Sequence, residues 1–165
     1  MRKILLIIFI SPSGISSWTQ PDLDSLLAIW QDDTYSDTIR LETIQNIAMG
    51  VCLFSQPDSA YYYAQSLYDF SESTGYKKPI AKALLIQAAS YQFKNDYHYA
   101  LEYYQESLTI YEEIEDKLGK ANINEATYEL VKEHSEFDLT SRGKIEGKGE
   151  MEIYFVNSTT NSSKR

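Results

Sequence analysis

The stretch Ile80-Ala-Lys-Ala-Leu-Leu-Ile-Gln-Ala-Ala-Ser-Tyr-Gln-Phe93, then Lys94-Asn-Asp96, then Tyr97-His-Tyr-Ala-Leu-Glu-Tyr-Tyr-Gln-Glu-Ser-Leu-Thr-Ile-Tyr-Glu-Glu-Ile114 decides the fold. Ala81, Leu84, Ala88 and Tyr91 fall at helical spacing in the first run, and Ala100, Tyr104, Leu108 and Tyr111 do so in the second. The spacing predicts two helices, near Ile80–Phe93 and Tyr97–Ile114, joined by a tight polar turn. Small residues at Ala88 and Ala100 let paired helices approach closely, and the neighbouring rings fill the wedge between them.

Displacing the chain by forty residues against itself reproduces this pair. Leu41 falls on Ala81, Ile44 on Leu84, Ala48 on Ala88, Val51 on Tyr91, Ala60 on Ala100 and Tyr63 on Tyr103. The turn Ser55-Gln-Pro-Asp58 falls on Asn95-Asp-Tyr-His98, and Asp58 with Asn95/Asp96 are candidates to cap the second helix of each pair. Asp22 to Gln31 adds one amphipathic segment, placed as a cap over the first pair. The pattern resembles tetratricopeptide repeats in the slightly long form common in bacterial signalling proteins. Ala88 and Tyr91 match the first helix of that motif, and Ala100 and Tyr104 the second. Gln87 departs from a usual Leu and Ser107 from a usual Ala. The resemblance implies a helix-pair solenoid whose groove binds a protein or peptide, with about two units and hence a tendency to self-associate. Tyr61, Tyr62, Tyr63, Tyr97, Tyr99, Tyr103 and Tyr104 cluster in these repeats, either as gap fillers or as part of that groove.

A second resemblance begins near Lys117. Asn124-Glu-Ala-Thr-Tyr128 continues a helix, Glu136–Thr140 and Glu150–Val156 read as strands, and Gly143, Gly147 and Gly149 fit a turn between them. The runs Arg142-Gly-Lys-Ile-Glu146 and Gly147-Lys-Gly-Glu-Met-Glu-Ile-Tyr-Phe-Val156 complete a segment, Gly119–Val156. It is similar to the closing helix and β-hairpin of the class III adenylate/guanylate cyclase catalytic domain. That family uses two divalent metal ions held by aspartates upstream of this ending, and an Asn and an Arg that orient the ribose and stabilise developing charge. Here Glu112–Lys117 passes straight into Gly119. Glu146 stands where the family's first phosphate-binding Lys is expected, and an acid there repels a triphosphate. Lys148 matches the second Lys and carries no such role.

The remaining signals bound the function class. Fifteen Lys and Arg against twenty-four Asp and Glu give a net charge of −9, which disfavours nucleic acid as a partner. Arg2 and Lys3, the apolar run Ile4–Ile10 and the small residues Ser11–Ser17 describe a secretory signal peptide cleaved near Ser16 or Ser17, with a buried strand as the alternative. Export, to the periplasm, follows from that reading, with no stable membrane span after cleavage. Cys52 lies in an apolar helical stretch and reads as a core residue. His98 and His134 have no second ligand at zinc spacing and read as surface residues. No Gly-rich dinucleotide or P-loop turn occurs. Asn157-Ser-Thr159 and Asn161-Ser-Ser163 match the glycosylation sequon within a polar tail that reads as disordered.

The sequence therefore predicts a mostly α protein in four parts: signal peptide 1–17, tetratricopeptide-like repeats 18–118, a cyclase-like helix and hairpin 119–156, and a tail 157–165. No catalytic, cofactor-binding or metal-ligating residue is assigned, and no cofactor is expected. The expected activity is protein binding through the repeats without cyclase activity of the chain alone. The alternatives are a fragment that completes a cyclase with a partner, contributing to cyclic-nucleotide signalling, and an inert truncated product.

Overall fold

The computed structural model describes residues 22–132, 137–147 and 149–158. The signal-peptide segment, His134, Lys148 and the tail beyond Ser158 lie outside the described residues. The chain is mostly helical. Its described α-helices are α1 (Leu23–Gln31), α2 (Asp37–Asn46), α3 (Pro57–Thr74), α4 (Lys77–Phe93), α5 (Tyr97–Glu113) and α6 (Lys117–Lys132). A π-helical turn, Ile47–Cys52, continues α2 toward α3.

Helix starts recur at a fixed step: α2, α4 and α6 begin at Asp37, Lys77 and Lys117, and α3 and α5 at Pro57 and Tyr97, each forty residues on. The turns between helices recur as well. Gly75, Asn95 and Glu115 all take left-handed backbone, at φ 77°, 61° and 55°. Behind each, the next amide returns to the last turn of the helix: Tyr76 to the Ser71 carbonyl, Asp96 to Tyr91 and Asp116 to Tyr111, at 3.0, 2.9 and 3.0 Å. This closure satisfies carbonyls that a helix end otherwise leaves open. Glycine adopts it freely and asparagine tolerates it, whereas Glu115 carries a steric cost of about 1–2 kcal/mol.

Capping differs from the sequence expectation. The carboxylate of Asp58 bonds Lys94 at 2.8 Å instead of capping α3, whose N-cap is Gln56. Asp96 holds the N-cap position of α5 without a side-chain bond, and Asn95 accepts from the Tyr97 hydroxyl at 2.8 Å. Asp58 is already the second residue of α3, past the capping position. Side-chain caps stand instead at Asp22, which accepts from the Ser25 amide at 2.7 Å, at Ser36, and at Asp116, which accepts from the Gly119 amide at 2.9 Å.

Neighbouring helices run antiparallel. The Ser90 hydroxyl donates to the Pro57 carbonyl at 2.5 Å, joining the end of α4 to the start of α3. Lys77 pairs with Glu113 at 2.9 Å, joining the start of α4 to the end of α5. Two cores result. The first gathers Leu26, Ile44, Ile47, Ala48, Ala64 and Leu67. On its flank the Trp30 and Phe70 rings, forty positions apart, meet edge to face at 5.3 Å, and the Arg40 guanidinium lies 4.7 Å from the Phe70 ring. The second gathers Ala81, Ala88, Ala100, Tyr104, Tyr111 and Ile123. Here α6 closes onto α5 at a glycine: a methyl at Gly119 would sit 2.2 Å from the Tyr111 ring.

Beyond α6 the backbone of β1 (Phe137–Gly147) pairs antiparallel with β2 (Gly149–Ser158), from Phe137 opposite Ser158 to Gly147 opposite Gly149. The register shifts between Ser141 and Gly143, so Gly143 lies inside β1 at that irregularity and not in a turn. The pair lies against α6. A boundary between Leu118 and Gly119 falls within α6.

Candidate functional site

The tyrosines that cluster in sequence divide in space. The Tyr61 and Tyr103 hydroxyls share a hydrogen bond at 2.9 Å, which ties α3 to α5 across the end of α4. Between them lies Tyr91, with ring centroids 5.4 Å from Tyr61, 5.5 Å from Tyr103 and 5.2 Å from Tyr99. The Lys94 ammonium sits 5.3 Å from the Tyr91 ring. Burial pushes the phenols of Tyr61 and Tyr91 above their ordinary range. Tyr104 is buried; its hydroxyl donates to the Gln92 amide oxygen at 2.8 Å, and its pKa is pushed up to about 12. Only Tyr62 and Tyr99 of the group are largely exposed, at 65% and 48%. Most of these rings fill a seam between helices, and Tyr91 is the member of that seam that clustering in sequence missed.

The two departures from the repeat pattern are both buried and hydrogen-bonded. Gln87 donates to Gln65 at 2.8 Å, and the Ser107 hydroxyl donates to the Ala81 carbonyl at 2.7 Å. Polar atoms are thus accommodated at positions where aliphatic side chains were the expectation. Among the described residues one buried side-chain group is left open, the Nδ2 of Asn124 on α6. Forty residues earlier Leu84 fills that position, and forty before it Ile44, both buried.

A groove of about 190 Å³ opens between α2 and α4. Leu41, Glu42 and Gln45 line it from α2, and Tyr76, Lys78, Pro79 and Lys82 from the start of α4. Pro79 fits the first turn of α4, where no amide donor is needed. Lys82 bridges the two helices by donating to the Gln45 amide oxygen at 2.9 Å. Lys78 reaches across to Asp116 at 2.6 Å. Those contacts hold the Asp116 carboxyl below the usual range, the Lys78 bond first and the Gly119 amide second.

Charge is segregated by helix. Across α4 there is no Asp or Glu, while Lys77, Lys78 and Lys82 crowd its first two turns. Across α1, α3 and α5 there is no Lys or Arg, and α5 alone carries Glu102, Glu106, Glu112 and Glu113. At the α4 end of the groove two of these lysines are already paired with carboxylates, Lys77 with Glu113 and Lys78 with Asp116, and Glu42 shares the lining with Lys82. The signal was present in the sequence, as a run from Lys77 to Phe93 without an acid.

Cys52 is buried, and burial pushes its thiol above the ordinary range, which suits packing and not nucleophilic attack. His98 is exposed, with Glu102 at 3.4 Å one turn along α5. Among the described residues no group of three or more His, Cys, Asp or Glu is placed to hold a metal ion, and no helix is long and apolar enough to cross a membrane. Comparison of the chain with family models, with curated proteins and with solved structures finds no match in any of the three.

Proposed function

We propose that this chain is a protein-binding scaffold of tetratricopeptide type, whose C-terminal segment derives from a class III nucleotide cyclase and has no cyclase activity on its own. The observation that carries the reading is the recurrence of helix starts at a forty-residue step, with a left-handed turn every twenty residues from Gly75 to Glu115. Stacked helix pairs of this kind bury a continuous core and leave an extended helix surface for a partner. The α2–α4 groove lies on such a surface, between the first helices of consecutive pairs. The second helices meet one another through the Tyr61–Tyr103 bond.

The cyclase resemblance of Gly119–Val156 accounts for ancestry and not chemistry. Glu146 in place of a phosphate-binding Lys, and the direct passage from Lys117 to Gly119, leave the segment without the groups the family uses on a triphosphate. Export to the periplasm belongs to the same reading. The test is cyclic-nucleotide production from ATP or GTP with Mn²⁺ by the purified chain, beside a control ending at Lys132. Absence of product, with binding of a peptide probe, is the expected result. Product above the control overturns the non-enzymatic reading.

A further inference from the structure

We infer that the α2–α4 groove seats an uncharged stretch of peptide through one aliphatic side chain, such as leucine. The inference rests on the repeat-scaffold reading and adds to it the chemistry of the ligand. Its basis is a cavity whose charges are already balanced and whose remaining lining is apolar or neutral. The groove of about 190 Å³ has room for one or two side chains of a bound segment. Its charged groups are matched one to one. Lys78 pairs with Asp116 at 2.6 Å, and Lys82 shares the lining with Glu42. An acidic segment meets Glu42 there, and a basic one meets Lys78 and Lys82. Neither sign gains by entering, because a charge that leaves water for a balanced site loses hydration without finding an unmatched partner.

What the balance leaves open is hydrocarbon. The buried Leu41 lines the groove from α2, and the exposed Tyr76 and the ring of Pro79 line it from the start of α4. The Lys78 ammonium is taken up by Asp116 and the Lys82 ammonium by the Gln45 amide oxygen, so the aliphatic stems of both lysines remain as wall. The polar handles that remain are neutral, the Thr38 hydroxyl and the Gln45 amide. Gln45 accepts from Lys82 through its oxygen, and its Nε2 has no partner among the described residues. An amide donor beside an apolar slot suits a peptide, whose side chain fills the slot while a flanking carbonyl accepts the bond.

The test uses the full chain and fluorescence anisotropy of four fluorescein-labelled hexapeptides. The first has two central leucines flanked by glutamines, the second has alanines in their place, and the others are hexaglutamate and hexalysine. The leucine probe binds, and the alanine probe binds about fivefold more weakly or less. Raising salt from about 0.05 to about 0.5 M leaves the leucine probe bound, as expected of a contact without net charge. Tyr76→Ala weakens it about threefold, as loss of one apolar wall should, and the side chain removed makes no capping bond. Thr38→Trp, which fills the groove, abolishes binding. Tyr62→Ala, at an exposed ring outside the groove, leaves it unchanged. All variants keep the wild-type circular dichroism. Equal binding of the leucine and alanine probes, or indifference to both Tyr76→Ala and Thr38→Trp, overturns the inference. Binding of hexaglutamate or hexalysine that Thr38→Trp removes, with the leucine probe silent, overturns it too but leaves the peptide-scaffold reading in place. Silence of all four probes overturns the inference and counts against the groove as a peptide site at all.

Discussion

The core around α2 and α3 and the core around α4, α5 and α6 are built on the same helix spacing from different material. The first is aliphatic: Ile44, Ile47, Ala64 and Leu67 are all fully buried. In the second, the equivalent space is taken by Tyr104 and Tyr111, with the buried Ser107 hydroxyl bonded to the Ala81 carbonyl beside them. An aliphatic core depends on volume alone, so its weak point is a void. A core of rings and hydroxyls depends on shape and on partners, so its weak points are an added methyl and a lost acceptor.

That contrast orders the expected effects. Leu67→Ala or Ile44→Ala should cost the most, about 3–4 kcal/mol by urea unfolding, because each opens a cavity among side chains that cannot reach inward. A loss below about 1 kcal/mol would mean that the first core is loosely packed. Gly119→Ala should cost about 1–3 kcal/mol by overpacking against Tyr111, and adding Tyr111→Leu should recover part of it. If the two changes simply add, the close approach of α6 to α5 is not what sets that junction. Ser107→Ala should cost about 1 kcal/mol, leaving the Ala81 carbonyl without its donor.

Smaller effects belong to the turns and the surface. Glu115→Gly should stabilise by about 0.5 kcal/mol, since relief of left-handed strain outweighs the added freedom of the unfolded chain. The same turn has a pH signature. Asp116 has a depressed folded-state pKa, so its contribution is present above the ordinary carboxylate pKa of 3.8 and is lost as pH falls through the lower folded value. The difference in stability between wild type and Asp116→Asn should therefore shrink as pH falls below about 4. A constant difference from neutral pH to the acid limit would detach Asp116 from the Lys78 and Gly119 contacts.

How much of this was legible follows from where the determinants sit. The pair α4 and α5 could be read from residues because helical periodicity and small-residue positions such as Ala88 and Ala100 are local. The extension of the step to α6 was hidden by substitution at its marker positions. Ala121 does follow Ala81, but Asn124 replaces Leu84 and Tyr128 replaces Ala88, so self-comparison fades where the helix continues. Asp58 does not cap because its carboxylate goes to Lys94, which only the fold brings near, and Asp96 holds the N-cap position of α5 without a side-chain bond. The groove needs α2 and α4 side by side, and no local pattern in either helix tells that Gln45 and Glu42 stand opposite Lys82.

The fixed interval between helix starts has a consequence for inheritance. Removing the stretch from Asp37 to Tyr76 would join Ser36 directly to Lys77, the N-cap of one first helix to the body of the next. The helix phase of everything after the junction would be kept, while the bonds from α4 and α5 back to Pro57, Tyr61 and Gln65 would be lost. Duplication of the same stretch would keep the phase too. What the two units share is the interval and not the residues, so a change of length by one whole unit preserves the order of first and second helices. Length is then separable from helix order, although each new junction would have to be repacked.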